Sequence, residues 1–191
     1  METKKKKIGF ILNPYAGSGG KAGLKGSDNY KKIEKLLLEG CERIAPKRAE
    51  SCMSKIADLT ASLVAGDKGL VGEKNFSILS APGDMGEALL EKLKIPCDVV
   101  LCPKAHTSSA EDTKLCAQIM KEQGVDLLVF CGGDGTARDI CEAVGTDVTV
   151  LGIPAGVKMY SACYACNPYQ AGEMLAGWLE GKEMSYEMRE V

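Results

Sequence analysis

The chain has 191 residues, of which 45% are hydrophobic and 26% charged, and its formal net charge is −2. That length suits one well-cored domain of ordinary globular material, and a near-neutral balance gives no sign of a nucleic-acid binder. Nine cysteines without a secretion signal point to free thiols in a reducing cytosol, not to a disulfide scaffold.

In chain order, Lys4–Lys7 is the one basic cluster, read as a solvated flank and not as a membrane or nucleic-acid patch. Ile8–Leu12 follows as a buried strand, too short for a signal-peptide core or a membrane span. After it comes a glycine-rich loop, Asn13 to Gly23. Helices are expected over Tyr30–Leu38, with Ile33, Leu36 and Leu37 on one face, and over Ala49–Leu63, with Met53, Ile56, Leu59 and Leu63 spaced by three and four. Phe76–Ser80 reads as a strand, Gly86–Leu93 as a helix and Val99–Cys102 as a strand. Ala110–Gly124 is a helix turning Leu115, Ile119 and Met120 inward, with Gly124 as its stop. Leu127–Cys131 is a strand running into Gly132-Gly133-Asp134-Gly135-Thr136, and Ala137–Val144 is the helix after it. Val148–Ile153 is the last strand and Tyr169–Leu179 the last helix. Nearly continuous apolar strands alternating with helices predict an α/β fold: a Rossmann-like parallel sheet with helices on both faces.

In such a sheet, ligands bind at the carboxyl ends of the strands. Three of those ends carry unusual loops: 13–23, 132–136 and Pro154-Ala155-Gly156-Val157-Lys158, all expected on one edge. The first contains Gly17-x-Gly19-x-x-Ala22, formally a dinucleotide fingerprint, but Pro14 and the glycines at 23 and 26 disturb its geometry. An acid about 20 residues further on would have to be Glu39 or Glu42, and neither follows a strand-like run. A P-loop reading fails, because Gly20-Lys21 is followed by alanine. What remains is a loop rich in backbone N–H groups, suited to an anion. Gly132–Thr136 opens a helix whose N–H groups and dipole favour phosphate. Asp134 could act as a general base or hold hydrated magnesium, and Thr136 could cap the helix. Cys163-Tyr164-Ala165-Cys166 is a lone pair of cysteines in a chain with one histidine, His106, so zinc is poorly supplied with ligands. The cysteines read as small hydrophobes, with a redox pair as the alternative.

Gly132-Gly133-Asp134-Gly135-Thr136 resembles the signature of the NAD kinase, diacylglycerol kinase and sphingosine kinase superfamily, and Asn13-Pro14-x-x-Gly17 resembles its first nucleotide loop. The chain is most similar to the ATP–NAD kinase-like family that includes the acetoin-catabolism X proteins. The stretches carrying that likeness are Ile8 to Asp28, Ala81 to Glu87, Thr107 to Thr113, Gly132 to Ile140 and Gly152 to Ser161. The resemblance implies ATP as phosphoryl donor, Mg²⁺, and NAD or another hydroxyl compound as acceptor, with Asp134 as the catalytic aspartate. It implies donor-site roles for Asn13, Gly17, Gly19, Gly20, Thr107, Gly132, Gly133, Gly135, Thr136 and Gly156, and Lys158 is suggested to meet a phosphate. It also implies a cytoplasmic protein, with a homodimer as a reasonable guess. Residues 1–182 would be the nucleotide-binding domain and 183–191 the linker to, or first strand of, a β-rich domain, so the chain alone is expected to lack a complete acceptor site. Three other readings stay open: a lipid or polyol kinase, a module that senses NAD or ATP without turnover, and, last, a nicotinamide-dependent oxidoreductase.

Overall fold

The computed structural model describes residues 5–18, 42–64, 76–102, 108–156 and 159–182. The expected helix over Tyr30–Leu38, His106 and the segment 183–191 lie outside the described residues. Five parallel strands, β1 (Lys6–Leu12), β2 (Phe76–Ser80), β3 (Asp98–Val99), β4 (Leu127–Gly132) and β5 (Thr149–Pro154), form one sheet in the order β3-β2-β1-β4-β5. Among the described residues five α-helices accompany them: α1 (Ile44–Val64), α2 (Glu87–Lys92), α3 (Ala110–Glu122), α4 (Asp134–Val144) and α5 (Pro168–Leu179). A short 3₁₀ turn, Gly83–Met85, precedes α2.

Alternation along the central strands sorts their side chains into two cores. Ile8, Phe10 and Leu12 of β1 and Leu127, Val129 and Cys131 of β4 face α1 and α5, meeting Ala49, Met53, Ile56 and Leu175. Ile11 of β1 and Leu128 and Phe130 of β4 face α3 and α4, meeting Met120, Ala117 and Ile140. Both faces are thus covered, which is why β4 is buried along its whole length.

Several boundaries differ from expectation, each for a physical reason. Helix α1 begins at Ile44, ahead of Ala49, because Pro46 falls in the first turn, where its missing N–H is not needed. Strand β3 is two residues long: β2 stops at Ser80, so after Val100 N–H bonds Ser80 O no backbone remains to pair with, and Leu101 stands 90% exposed. The inward face of α3 is Cys116, Ala117 and Met120, while Leu115 is only half-buried. Gly124 does end that helix region with φ +70. The expected lysine flank is partly structural: Lys6 and Lys7 belong to β1. The Lys6 ammonium bonds Trp178 O and lies 4.7 Å from that ring's centre, and Lys7 Nζ donates to Gln123 O at 2.7 Å. All eight described cysteines are free, Cys166 is exposed and Cys163 half-buried, so the pair is not two buried hydrophobes.

Helices α1 and α5 pack closely because Gly172 presents no side chain to α1. A Cβ built there would lie 2.7 Å from Cys52 O. Gly172→Val is therefore expected to destabilise the domain by about 1–3 kcal/mol, the usual cost of overpacking, read as a lower midpoint in chemical denaturation.

Candidate active site

The chain leaves β1 toward β2 on one side and later crosses to β4 on the other, so the strand order reverses between β1 and β4. Loops leaving two neighbouring strands in opposite directions open a crevice at their carboxyl ends. The first two glycine-rich loops emerge there, and the loop after β5 lies beside them.

Asn13 ties the crevice together. Its backbone N–H donates to Cys131 O at 2.9 Å, and its Nδ2 donates to Thr136 Oγ1 at 3.0 Å. Its Oδ1 accepts from Tyr15 N–H at 3.1 Å, a local turn that aims the side chain across the gap. Gly17 has φ +77, and a Cβ there would lie 2.1 Å from Ala155 O, so only glycine lets the first loop reach the third. Ala155 N–H in turn donates to Gly132 O at 3.1 Å. The expected convergence of the three loops is thus seen directly in Asn13, Gly17, Gly132, Thr136 and Ala155.

The glycines of the motif are not equivalent. Gly132 gives way to Thr136, whose Cβ would be 2.5 Å from an added methyl group. Gly133 and Gly135 face open space, with nothing within 4 Å of a built Cβ, leaving the start of α4 uncovered. Gly133, not Thr136, is the residue at the cap position of α4, so the expected capping role of Thr136 is not observed. Thr136 lies buried inside the first turn and accepts from Asn13 instead. Gly156 lies beside Met159, whose Cε would be 2.8 Å from an added Cβ. Gly19, Gly20, Thr107 and Lys158 lie outside the described residues.

Asp134 is the first residue of α4. Its Oδ1 accepts from Ser161 Oγ at 2.8 Å, Ser161 N–H at 3.0 Å and Tyr160 N–H at 3.1 Å, and its Oδ2 accepts from Tyr160 N–H at 3.1 Å. Desolvation pushes the carboxyl's pKa up, but the Ser161 hydroxyl, the two backbone N–H groups and nearby Arg138 together outweigh it. The net result lies below the ordinary carboxylate value. Asp134 is thus an anion at neutral pH, with three donors on Oδ1 and one, the shared Tyr160 N–H, on Oδ2.

Ser161 and Tyr160 escaped the sequence reading. They reach Asp134 because the chain after β5 doubles back along that strand. Gly152 N–H donates to Cys163 O at 2.8 Å, and Ala165 N–H donates to Gly152 O at 3.0 Å. Tyr164 lies directly on Gly152, where a Cβ would be 2.5 Å from its ring, and meets Phe130 edge-on at 5.5 Å. A glycine inside a strand is the one sequence signal for such a close approach.

The dinucleotide reading of Gly17–Ala22 finds no support in this topology. Among the described residues the strand after β1 begins at Phe76, and Glu42 precedes a helix, while Gly19 to Ala22 and Glu39 lie outside them. Among the described residues no helix is long and apolar enough to cross a membrane.

A parallel sheet with glycine-rich loops and a helix start at its switch point is the arrangement of an α/β nucleotide-binding fold. The family model for the ATP-NAD kinase N-terminal domain matches residues 8–183, and the chain belongs to that family. No curated protein matches it.

Removing the Ser161 hydroxyl takes away one of the donors that hold Asp134 ionised. In Ser161→Ala the Asp134 pKa is expected to rise toward the ordinary value, so protonation begins at higher pH as acid is added. Carboxyl-carbon NMR titration of wild type and variant checks this, and an unchanged midpoint would contradict the assigned cause.

Proposed function

We propose that the protein transfers a phosphoryl group from ATP to a hydroxyl of a small-molecule acceptor, with NAD the favoured acceptor and Asp134 the catalytic aspartate. The observation that carries this reading is the placement of an ionised carboxylate at the uncovered start of α4, in the crevice between β1 and β4. Backbone N–H groups at that helix start suit the donor's phosphates. Gly133 and Gly135 leave them room, and Asn13 and Gly17 hold the first loop against the same edge.

Phosphoryl transfer passes through a loose transition state, so the protein's task is positioning and charge neutralisation more than proton removal. A carboxyl with a lowered pKa is a weak base. Asp134 would accept the acceptor's O–H through Oδ2, fix its direction of attack, and take the proton late. Among the described residues no three His, Cys, Asp or Glu side chains converge as a metal cage. A magnesium ion would be held by the nucleotide's own phosphates and water, a ligand set that Mg²⁺ accepts. When bound, it would neutralise phosphate charge.

The saturation of Oδ1 favours a second reading from a different class, in which Asp134 organises the loop after β5 and the domain binds ATP or NAD without turnover. A lipid or polyol acceptor remains within the first reading. Incubating the full-length protein with ATP, Mg²⁺ and a panel of NAD, nicotinamide analogues, diacylglycerol and polyols tests them together. Asp134→Asn is expected to lower turnover by about 10²-fold or more, the range for losing such a group, while ATP affinity changes little. Full activity in that variant would remove Asp134 from catalysis, and ATP binding with no acceptor consumed would favour the sensing reading.

A further inference from the structure

A cavity of about 450 Å³ opens beside β5, lined by Arg48, Pro154, Gly156, Met159 and Ser161 among others. It lies one strand away from the β1–β4 crevice, and Ser161 joins the two, lining the cavity and donating to Asp134. Its volume falls in the range of small-molecule sites.

Arg48 is the unusual member. Neighbouring cations on and before α1 are matched to acids: Arg43 with Asp84 at 2.7 Å, Lys47 with Glu42 at 2.7 Å, and Lys55 with Glu173 at 2.8 Å. Arg48 is half-buried, and among the described residues no carboxylate pairs with it. Its Nη1 makes one long hydrogen bond, 3.3 Å, to Pro154 O. A guanidinium carries five N–H donors in a planar fork that matches two oxygens of a phosphate. A half-buried, underused fork in a cavity wall is chemistry waiting for an anion.

We infer that this cavity is a phosphate subsite in which Arg48 receives a phosphate group of a nucleotide or pyrophosphate-like ligand. Only the naming of that ligand as the kinase's donor rests on the phosphoryl-transfer reading. Pro154 O fixes the guanidinium's orientation, Ser161 links the subsite to Asp134, and Met159 and Ala162 supply apolar wall for whatever the phosphate is attached to.

Calorimetric titration of the full-length protein with inorganic pyrophosphate and with Mg·ATP tests the inference without requiring turnover. Arg48→Gln is expected to weaken pyrophosphate binding roughly 10- to 100-fold, the loss of charge-assisted hydrogen bonds, with Arg48→Lys recovering part of it. Pyrophosphate that binds Arg48→Gln as it binds wild type, or that does not bind wild type at all, overturns the subsite. If the variants fail to fold, phenylglyoxal labelling of the wild type replaces them. Protection of the Arg48 peptide by saturating pyrophosphate supports the inference, and unchanged labelling overturns it. Acceptor turnover with Arg48-independent donor binding would sink only this inference. Arg48-dependent pyrophosphate binding without turnover of any acceptor would sink only the kinase reading.

Discussion

The reversal of strand order around β1 is the constraint on which the rest of the molecule depends. Because β2 and β3 lie on one side and β4 and β5 on the other, the loops after β1 and β4 part in opposite directions, and their backbone polar groups must find partners across the gap. Asn13 provides them through Cys131 O and Thr136 Oγ1. An alanine there would keep the backbone bond to Cys131 O but lose the side-chain link to Thr136. Gly17 and Gly132 complete the closure by yielding space, the first to Ala155 O and the second to Thr136. The site therefore consists of what the sheet's topology leaves open, narrowed by three side-chain choices.

A second dependence follows from Gly152. In a central position on β5, a larger residue would keep Tyr164 off the strand, and the segment after β5 would have no reason to return along it. That return places the Tyr160 and Ser161 donors against Asp134 and brings Ser161 to the cavity that holds Arg48. One glycine thus helps to place the donors that lower the pKa of Asp134, through packing and not through contact. The buried Tyr164 hydroxyl has no hydrogen-bond partner among the described residues, so ring packing on Gly152 and Phe130, not the hydroxyl, accounts for its position.

The fold was largely legible in the sequence, because strands buried on both faces are nearly pure apolar runs and β1, β4 and β5 are of that kind. The edge strand β3 was overextended, since an apolar run cannot say how far its neighbour continues. The motif 132–136 was legible as a turn from strand to helix, yet its details were not: Thr136 looked like a cap and is instead a buried acceptor for Asn13. Arg48, Tyr160 and Ser161 were invisible for one reason. Each acquires its place from a partner far away in sequence, Arg48 from Pro154 and the other two from Asp134. Lys6 and Lys7 were misread on the same ground, as their partners Trp178 and Gln123 lie over a hundred residues on.

The hydrogen bonds on Asp134 bear on what such a residue can do. Donors aimed at a carboxylate stabilise its charge and so lower its basicity, which would be a poor design for an enzyme that must pull off a proton early. Phosphoryl transfer makes no such demand: the attacking oxygen needs direction, and its proton becomes acidic only as the new bond forms. A carboxylate held mainly through one oxygen, with acceptor capacity left on the other, would meet that requirement better than a freely rotating, more basic one. The same donors that weaken Asp134 as a base are thus compatible with the orienting role proposed for it.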